Sequence, residues 1–195
     1  MRVLVSLAFV ACSNDGPTIR SDATDTTNEP PGPTDGPPDG TDTDTLPPPG
    51  GGTGDAWINE FMASNTLTLQ DEGGAFPDWV EIHNPGAEAL DLTGWTFTDD
   101  AALIAKWAFA AGTEIPAGGY LVLFCDADVD QGPLHTSFQL NAGGEDLLLL
   151  DPAGNVVDQI LAYAEQASDV SLSRMPDGGS DWLPDPTPTP GASNL

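Results

Sequence analysis

The chain has 195 residues and a formal net charge of −27, from 31 Asp and Glu residues against four Lys and Arg residues. Nucleic-acid affinity depends largely on clustered Lys and Arg side chains, so this composition argues against a nucleic-acid partner. All five tryptophans lie between Trp57 and Trp182, so the material for one hydrophobic core is confined to the C-terminal part of the chain.

Residues 1–12, MRVLVSLAFVAC, have the pattern of an export signal. Arg2 precedes an apolar run that is too short to span the roughly 30 Å hydrocarbon core of a membrane. Residues 9–12, FVAC, resemble a bacterial lipobox, which implies that Cys12 is lipidated and becomes the mature N-terminus. Ser13 resembles the residue that directs such proteins to the outer membrane. The competing interpretation is ordinary cleavage after Ser13, which would release a soluble protein.

Residues 13–54 are rich in Asp, Thr, Pro and Gly and contain almost nothing apolar, as in EPPGPTDGPPDG. Such a segment buries too little surface to offset its ordering entropy, so we predict a disordered linker. A flexible chain of this length averages roughly 35 Å from end to end, and Pro-rich, charged sequence extends further. The linker is therefore expected to hold the following domain away from a surface.

Residues 55–195 are predicted to form an all-β domain, because short apolar or alternating runs recur between turn residues without a 3.6-residue period. Predicted strands lie at 57–63, 78–84, 95–99, 106–109, 120–125, 136–140, 146–151, 155–163 and 170–174. Strands of this length and spacing indicate a sandwich or barrel. The strands YLVLFC and DLLLLD are apolar on both faces and are therefore predicted to be central in their sheets.

The turn residues agree with this interpretation. Pro152 and Gly154 predict a bulged hairpin, because proline presets the φ angle of a type I turn and glycine adopts the left-handed conformation that closes it. Gly94 lies where the apolar phase of the chain switches, which predicts a bend or bulge.

A set of short motifs, in this order and at this spacing, resembles the lamin-tail domain of secreted bacterial proteins. The motifs are INEF (58–61), DWVEIHN (78–84), LTGW (92–95), GYLV (119–122), GEDL (144–147) and PTPG (188–191). The match covers nearly all of residues 56–194. The resemblance implies an immunoglobulin-like β-sandwich that serves as an accessory or tethering module, and it brings no catalytic residues with it.

No arrangement of residues in the sequence predicts catalysis. His83 lies on the strand face opposite to Val80 and Ile82, where a histidine is most often packed and hydrogen-bonded, and His135 is expected to anchor its turn. Asp78 and Glu81 fall on opposite faces of one strand, which disfavours an acid–base pair. Cys125 is predicted to be a buried free thiol.

The stretch FCDADVDQGPLHTSFQL, residues 124–140, contains a candidate calcium site. Asp126, Asp128 and Asp130 occupy the first, third and fifth positions of an EF-hand-like loop, where alternate oxygens converge on a hard cation. Two departures weaken the match. Gln131 stands where the loop needs its turning glycine, and Ser137 stands where a bidentate glutamate belongs. The competing interpretation is a solvated acidic turn.

The sequence as a whole predicts a non-catalytic lipoprotein of the cell envelope, in the outer membrane through the lipid on Cys12 alone. It would display a lamin-tail-like interaction or tethering module, and its partner would be a protein or another cell-surface component. The alternative is a calcium-responsive adhesion or stability module that uses the loop from Asp126 to Asp130. A third hypothesis is catalytic: the protein would be an enzyme that uses a pair of carboxylates.

Overall fold

The computed structural model describes residues 56–194, which form eleven β-strands and, over that range, no helix. The strands are β1 (Trp57–Met62), β2 (Asp78–His83), β3 (Leu90–Asp91), β4 (Thr96–Thr98), β5 (Trp107–Ala108), β6 (Glu114–Ile115), β7 (Tyr120–Cys125), β8 (Leu147–Leu150), β9 (Val156–Ile160), β10 (Ser171–Arg174) and β11 (Trp182–Asp185). The predicted export signal at 1–12, its lipidation site Cys12 and the predicted linker at 13–54 lie outside the described residues.

The strands are arranged in two main antiparallel sheets. One has five strands in the order β11-β10-β1-β2-β7, and the other has four in the order β5-β4-β8-β9. A two-stranded ribbon of β3 and β6 accompanies them. The all-β, immunoglobulin-like sandwich that the sequence predicts is confirmed. No helix within residues 56–194 is long and apolar enough to cross a membrane.

The hydrophobic core lies between the two sheets and depends on a bulge in β1. Val80 and Ile82 of β2 belong to the core with Phe97, Leu147 and Leu149 of the opposite sheet. In β1, Ile58 and Phe61 both belong to the core although they are an odd number of residues apart. The pairing with β2 shifts between Ile58 and Glu60. One extra residue in the strand therefore returns Phe61 to the core face.

The predicted strand at 136–140 is the one that the structure does not contain. Only an isolated bridge joins Gln139 to Asp126. The Thr136 hydroxyl donates to the Phe138 carbonyl at 2.7 Å, and the Ser137 hydroxyl donates to the Lys106 carbonyl at 2.9 Å. These local side-chain bonds to the backbone compete with a regular strand ladder.

Three strands were missed, namely β3, β6 and β11. The first two have two residues each, and β11 contains Pro184, which a sheet tolerates only at its edge. The prediction that β8 is central is confirmed, but the same prediction for β7 is wrong, since β7 ends its sheet. Part of its open edge is occupied by the neighbouring loop, where the Phe124 amide donates to the Leu134 carbonyl at 2.8 Å.

Both predicted turns are present. The β8–β9 hairpin closes through a 2.9 Å bond from the Gly154 amide to the Asp151 carbonyl, with Gly154 at a φ of 83°. Gly94 has a φ of 81° in the turn before β4, where the Trp95 amide donates to the Leu92 carbonyl. Glycine adopts this left-handed conformation without the steric cost that other residues incur.

Candidate functional site in two buried polar clusters

The outer face of β1 and β2 is buried as well as their core face. Trp79, Met62 and Glu81 are each 0% exposed, although Trp79 and Glu81 alternate with the core residues of β2. Part of the cover comes from the loop before β2, where the Thr68 hydroxyl lies 3.2 Å from the Met62 sulfur. Further cover comes from residues 186–194, named the closing segment here, which return over β1 and β2 after β11.

Glu60 and Glu81 face each other across β1 and β2, and both are fully buried. Glu60 Oε1 accepts hydrogen bonds from the hydroxyls of Ser171 at 2.5 Å and Ser173 at 3.0 Å. Glu81 Oε1 accepts from Asn59 Nδ2 at 3.0 Å. These bonds partly compensate two like charges that stand opposite each other in a sheet, an arrangement that is otherwise destabilising.

Burial is the largest influence on both carboxyls, and it favours their neutral forms. It raises the pKa of Glu81 to about 7, against the opposing effect of the hydrogen bond from Asn59. The pKa of Glu60 is also raised by burial, which outweighs its bonds from the serine hydroxyls. No cation compensates them, because the two Lys and Arg residues of the described range, Lys106 and Arg174, pair with other carboxylates.

Asp177 joins this cluster from the loop between β10 and β11. Its Oδ1 accepts from Asn59 Nδ2 at 3.0 Å and from the Asn194 amide at 2.8 Å, and its Oδ2 accepts from the Tyr120 hydroxyl at 2.6 Å. Burial raises the pKa of Tyr120 to about 12, and the bond to Asp177 adds to the effect. Asn59, Glu60, Glu81 and Asp177 are called the carboxylate cluster below.

A buried ion pair between Arg174 of β10 and Asp158 of β9 connects the two sheets. Arg174 Nη2 lies 3.0 and 2.9 Å from the two oxygens of Asp158, and both side chains are fully buried. Arg174 Nε also donates to the Ile58 carbonyl at 2.8 Å, and Asp158 accepts the Ile58 amide at 2.8 Å. Burial raises the pKa of Asp158, although Arg174 opposes that effect. The guanidinium lies 4.6 Å from the ring centre of Trp182.

The second polar cluster surrounds His135, which is 1% exposed. Its Nδ1 lies 2.7 Å from Asp126 Oδ2, and its Nε2 lies 3.2 Å from Glu72 Oε1. Burial alone would lower the pKa of His135, but the hydrogen bonds with the two carboxylates outweigh burial and raise it. The imidazole therefore ties the loop before β2 to the loop after β7.

The three aspartates of the candidate calcium site do not converge. Asp126 uses Oδ2 for His135 and Oδ1 for the Asp128 amide at 3.0 Å. Asp128 and Asp130 are exposed, and Ala127 between the first two has a φ of 63°. Within residues 56–194 no three His, Cys, Asp or Glu side chains are grouped so that they could hold a metal ion.

Two other sequence predictions are confirmed. His83 is 8% exposed, with Nδ1 at 3.1 Å from the Gly119 carbonyl and its ring stacked on Tyr120 at 4.5 Å. Cys125 is a buried free thiol, and burial raises its pKa, which disfavours the reactive thiolate.

Sequence reasoning missed the Glu60–Glu81 pair. The available signal was that Glu81 and Trp79 are two residues apart in β2 and therefore share one face of the strand, so a carboxylate lies on a face that also carries a large apolar side chain. The bulge in β1 brings Glu60 opposite Glu81, and the sequence does not show it.

A shallow apolar cavity of about 340 Å³ lies on the loop between β4 and β5. It is lined by Leu103, Ile104, Ala105 and Lys106. Lys106 pairs with Asp99, so the cavity presents an apolar surface without an unpaired charge of its own. Nothing in this lining provides an acid, a base or a nucleophile aimed at a substrate.

A comparison with protein families supports this description. The family model described as Lamin Tail Domain matches residues 50–164. The match ends before β10 and β11, although both strands pair into the five-stranded sheet of the same sandwich. No curated protein matches the sequence.

Proposed function

The chain belongs to the lamin tail domain family, and from this premise we propose that it is a non-catalytic interaction or tethering module displayed in the cell envelope. The observation that best supports a non-catalytic role is that the buried acidic and basic side chains form their hydrogen bonds within the domain. Glu81 is bonded by Asn59 and by the closing segment, and His135 lies between Asp126 and Glu72. Groups whose hydrogen bonds are satisfied inside the domain in this way have an ordinary structural role, which supports a non-catalytic module.

The proposed partner is a protein or another cell-surface component with basic character. Both Lys and Arg residues within residues 56–194 are paired inside the domain, so its surface is dominated by carboxylates. A surface of one sign steers oppositely charged partners and loses its attraction as salt is added.

Binding to envelope material tests this role. The full chain carrying Cys12→Ser, which removes the lipid, should cosediment with isolated cell envelopes at low salt and lose that association as ionic strength rises. A matched measurement with an unrelated acidic protein of similar charge separates specific binding from general attraction. If the two proteins cosediment equally, or if neither does, the interaction role is wrong.

The proposed anchor is the lipid on Cys12, with residues 13–54 as a disordered linker and the outer membrane as the location. Support comes from the lipobox-like sequence and the following Ser13. Metabolic labelling with a fatty acid should mark the wild-type chain and not a Cys12→Ala variant. Label that persists in the variant contradicts the anchor, and an unlabelled wild-type chain in the culture medium supports cleavage after Ser13 and secretion.

The absence of catalysis is part of the proposal. The family is a non-catalytic one, and Glu60 and Glu81 are fully buried beneath the closing segment. Incubation of the full chain with panels of phosphoesters and glycosides should give no turnover above that of a Glu81→Gln variant. Turnover that the variant abolishes would instead support the hypothesis of a carboxylate-pair enzyme.

Calcium binding at Asp126, Asp128 and Asp130 is the second candidate function. The favouring observation is that Asp128 and Asp130 are exposed and close in sequence to Asp126, so a cation could recruit them from solvent. Against it, Asp126 would have to exchange its bond with His135 for the cation. Calorimetric titration and the melting temperature should differ between millimolar calcium and excess chelator if this function is real. Identical results end it.

A further inference from the structure

Four strands of the sandwich finish at the same end. Strands β1 and β7 both pair antiparallel with β2, and β4 and β9 both pair antiparallel with β8, so the members of each pair run in one direction. The two pairs also agree with each other. Asp158 in β9 accepts the Ile58 amide near the start of β1, and farther along the chain in both cases the rings of Tyr163 and Phe61 lie 4.8 Å apart. The loops at this end, named the distal end here, are residues 63–77, 99–106, 126–146 and 161–170.

The large apolar side chains that remain exposed are concentrated at the distal end. Five of the seven within residues 56–194 lie in its loops. They are Leu67, Leu103, Ile104, Val129 and Leu161, which are 47% to 76% exposed. The other two, Val156 and Leu183, lie near the starts of β9 and β11, at the opposite end. Exposed apolar side chains that gather among polar residues mark an interaction surface, whereas single ones scattered over a protein do not.

Hydrogen bonds join the loops of the distal end to one another. They connect the loop after β7 to the loops after β1 and β4, and the loop after β1 to the loop after β9. The bonds run from Gln131 Nε2 to Asp71 Oδ2 at 2.8 Å, from the Ser137 hydroxyl to the Lys106 carbonyl at 2.9 Å and from the Thr66 amide to Asp169 Oδ1 at 2.7 Å. A surface that is ordered before binding loses less conformational entropy when a partner docks.

The charge of the distal end determines which kind of partner fits it. Each of its four loops contains at least two Asp or Glu residues, and its one Lys or Arg residue, Lys106, is paired with Asp99. Such a surface repels an anionic membrane and a second copy of itself, and it attracts positive charge. The cavity of about 340 Å³ beside Leu103 and Ile104 provides a recess for an apolar side chain.

We propose that the distal end is the docking surface for a basic amphipathic segment of a partner protein, in which Lys or Arg residues flank apolar side chains. The apolar side chains of the partner pack against Leu103, Ile104 and the other exposed apolar residues, and its cations pair with the surrounding carboxylates. The chain enters the sandwich at the opposite end, where β1 begins at Trp57, so attachment through the preceding sequence requires none of these loops. This inference rests on the proposed function, because it names the surface and the partner class of the interaction module.

A pair of peptides tests the surface. The probe is a synthetic peptide in which Leu and Lys alternate, and the control peptide has Ser in place of each Leu. The full chain carrying Cys12→Ser, called the parent chain, is titrated with both by calorimetry. It should bind the Leu/Lys peptide at least about tenfold more tightly, because only that peptide buries apolar surface. Equal affinities would overturn the proposal, and so would the absence of binding by the Leu/Lys peptide.

Two double variants of the parent chain locate the binding site. Leu103→Ser/Ile104→Ser should weaken binding of the Leu/Lys peptide by about tenfold, since two apolar contacts are lost. Val156→Ser/Leu183→Ser makes the same chemical change at the opposite end and should bind as the parent chain does. All four side chains are at least 41% exposed, so both variants should fold, as circular dichroism can verify. The proposal fails if the first variant binds as the parent chain, or if the second is weakened as much as the first.

The same variants distinguish other occupants and the proposed function. Binding of the parent chain to vesicles of zwitterionic phospholipid, or its self-association in sedimentation, overturns the proposal if Leu103→Ser/Ile104→Ser abolishes it, because the occupant is then a membrane or a second copy. Equal cosedimentation of the parent chain and this variant with cell envelopes also overturns the proposed surface, while the interaction role stands. Peptide binding as expected without any envelope cosedimentation contradicts the role and supports the surface.

Discussion

Removal of Arg174 should destabilise the domain more than removal of the other cation in the described range. In an Arg174→Met chain, Asp158 stays buried without its partner, and breaking a buried ion pair in this way costs about 3–5 kcal/mol. The Ile58 carbonyl also loses its donor, which adds about 1 kcal/mol. Domains of this kind unfold with about 5–15 kcal/mol, so the expected loss of about 4 kcal/mol or more is a large part of the total.

A second substitution tests the cause of that loss. In Arg174→Met/Asp158→Asn the buried charge is absent, and an amide oxygen can still accept the Ile58 amide. The double variant should therefore recover about 2 kcal/mol relative to Arg174→Met, since most of the single variant's cost is the unpaired carboxylate. Lys106→Met is the control. Its ion pair is more open to water, with a Lys106 side chain that is 30% exposed and an Asp99 side chain that is 8% exposed, so the change should cost about 1–3 kcal/mol, less than the loss of Arg174.

The assay is urea unfolding of the full chain at pH 7, followed by tryptophan fluorescence and circular dichroism. Trp57 and Trp182 flank the guanidinium at 5.6 and 4.6 Å, so fluorescence reports on the region that is changed. The reasoning fails if Arg174→Met lies within about 1 kcal/mol of wild type. It also fails if the double variant is no more stable than the single one, because the cost then does not come from the isolated charge.

Three further outcomes are expected in the same unfolding assay. The free energy of unfolding should fall by up to roughly 3 kcal/mol between pH 4.5 and about 7, because the raised pKa of Glu81 gives stability at low pH that is lost as the group ionises. Glu81→Gln should flatten this slope. A slope that Glu81→Gln leaves unchanged would show that another group is responsible. Ala127→Gly should stabilise the domain by about 0.5–1 kcal/mol, because Ala127 has a φ of 63°, which glycine adopts more easily than alanine. Ala117→Gly, at a turn position whose φ is not positive, should destabilise the domain slightly. Equal effects at both positions would contradict the backbone argument. Gly144→Ala should cost about 2 kcal/mol or more, because the added Cβ would lie 2.1 Å from the Tyr163 carbonyl oxygen, and a neutral change would mean that the loop moves without strain.

The sequence predicted those parts of the fold in which the periodicity of side chains and the chemistry of turns agree. In β2, the alternation of Val80 and Ile82 with Glu81 and His83 specifies one core face, and at Gly154 the φ requirement of the hairpin specifies the residue type. The segment at 136–140 has the alternation of a strand, but Thr136 and Ser137 use their hydroxyls for local bonds that only the folded chain reveals.

The candidate sites were harder to predict than the fold. The position of Glu60 opposite Glu81 depends on an extra residue in β1, and the burial of both depends on a segment more than a hundred residues away in sequence. Such relations are long-range and leave no local pattern. The aspartates at 126, 128 and 130 show the opposite case, since their spacing indicates a cation site and the folded loop directs Asp126 to His135. Spacing along the chain does not specify where a flexible carboxylate points.

The outer strand of the five-stranded sheet, β11, carries Pro184, and the opposite edge at β7 is partly occupied by residues 134–136. Neither side of this sheet therefore offers a long row of free backbone groups to a neighbouring molecule. Where many copies of the domain are crowded together, edge-to-edge pairing into fibrous aggregates is therefore disfavoured through this sheet. Neighbouring copies would stay separate along this sheet, and the like charge that their carboxylates give them would add to the separation.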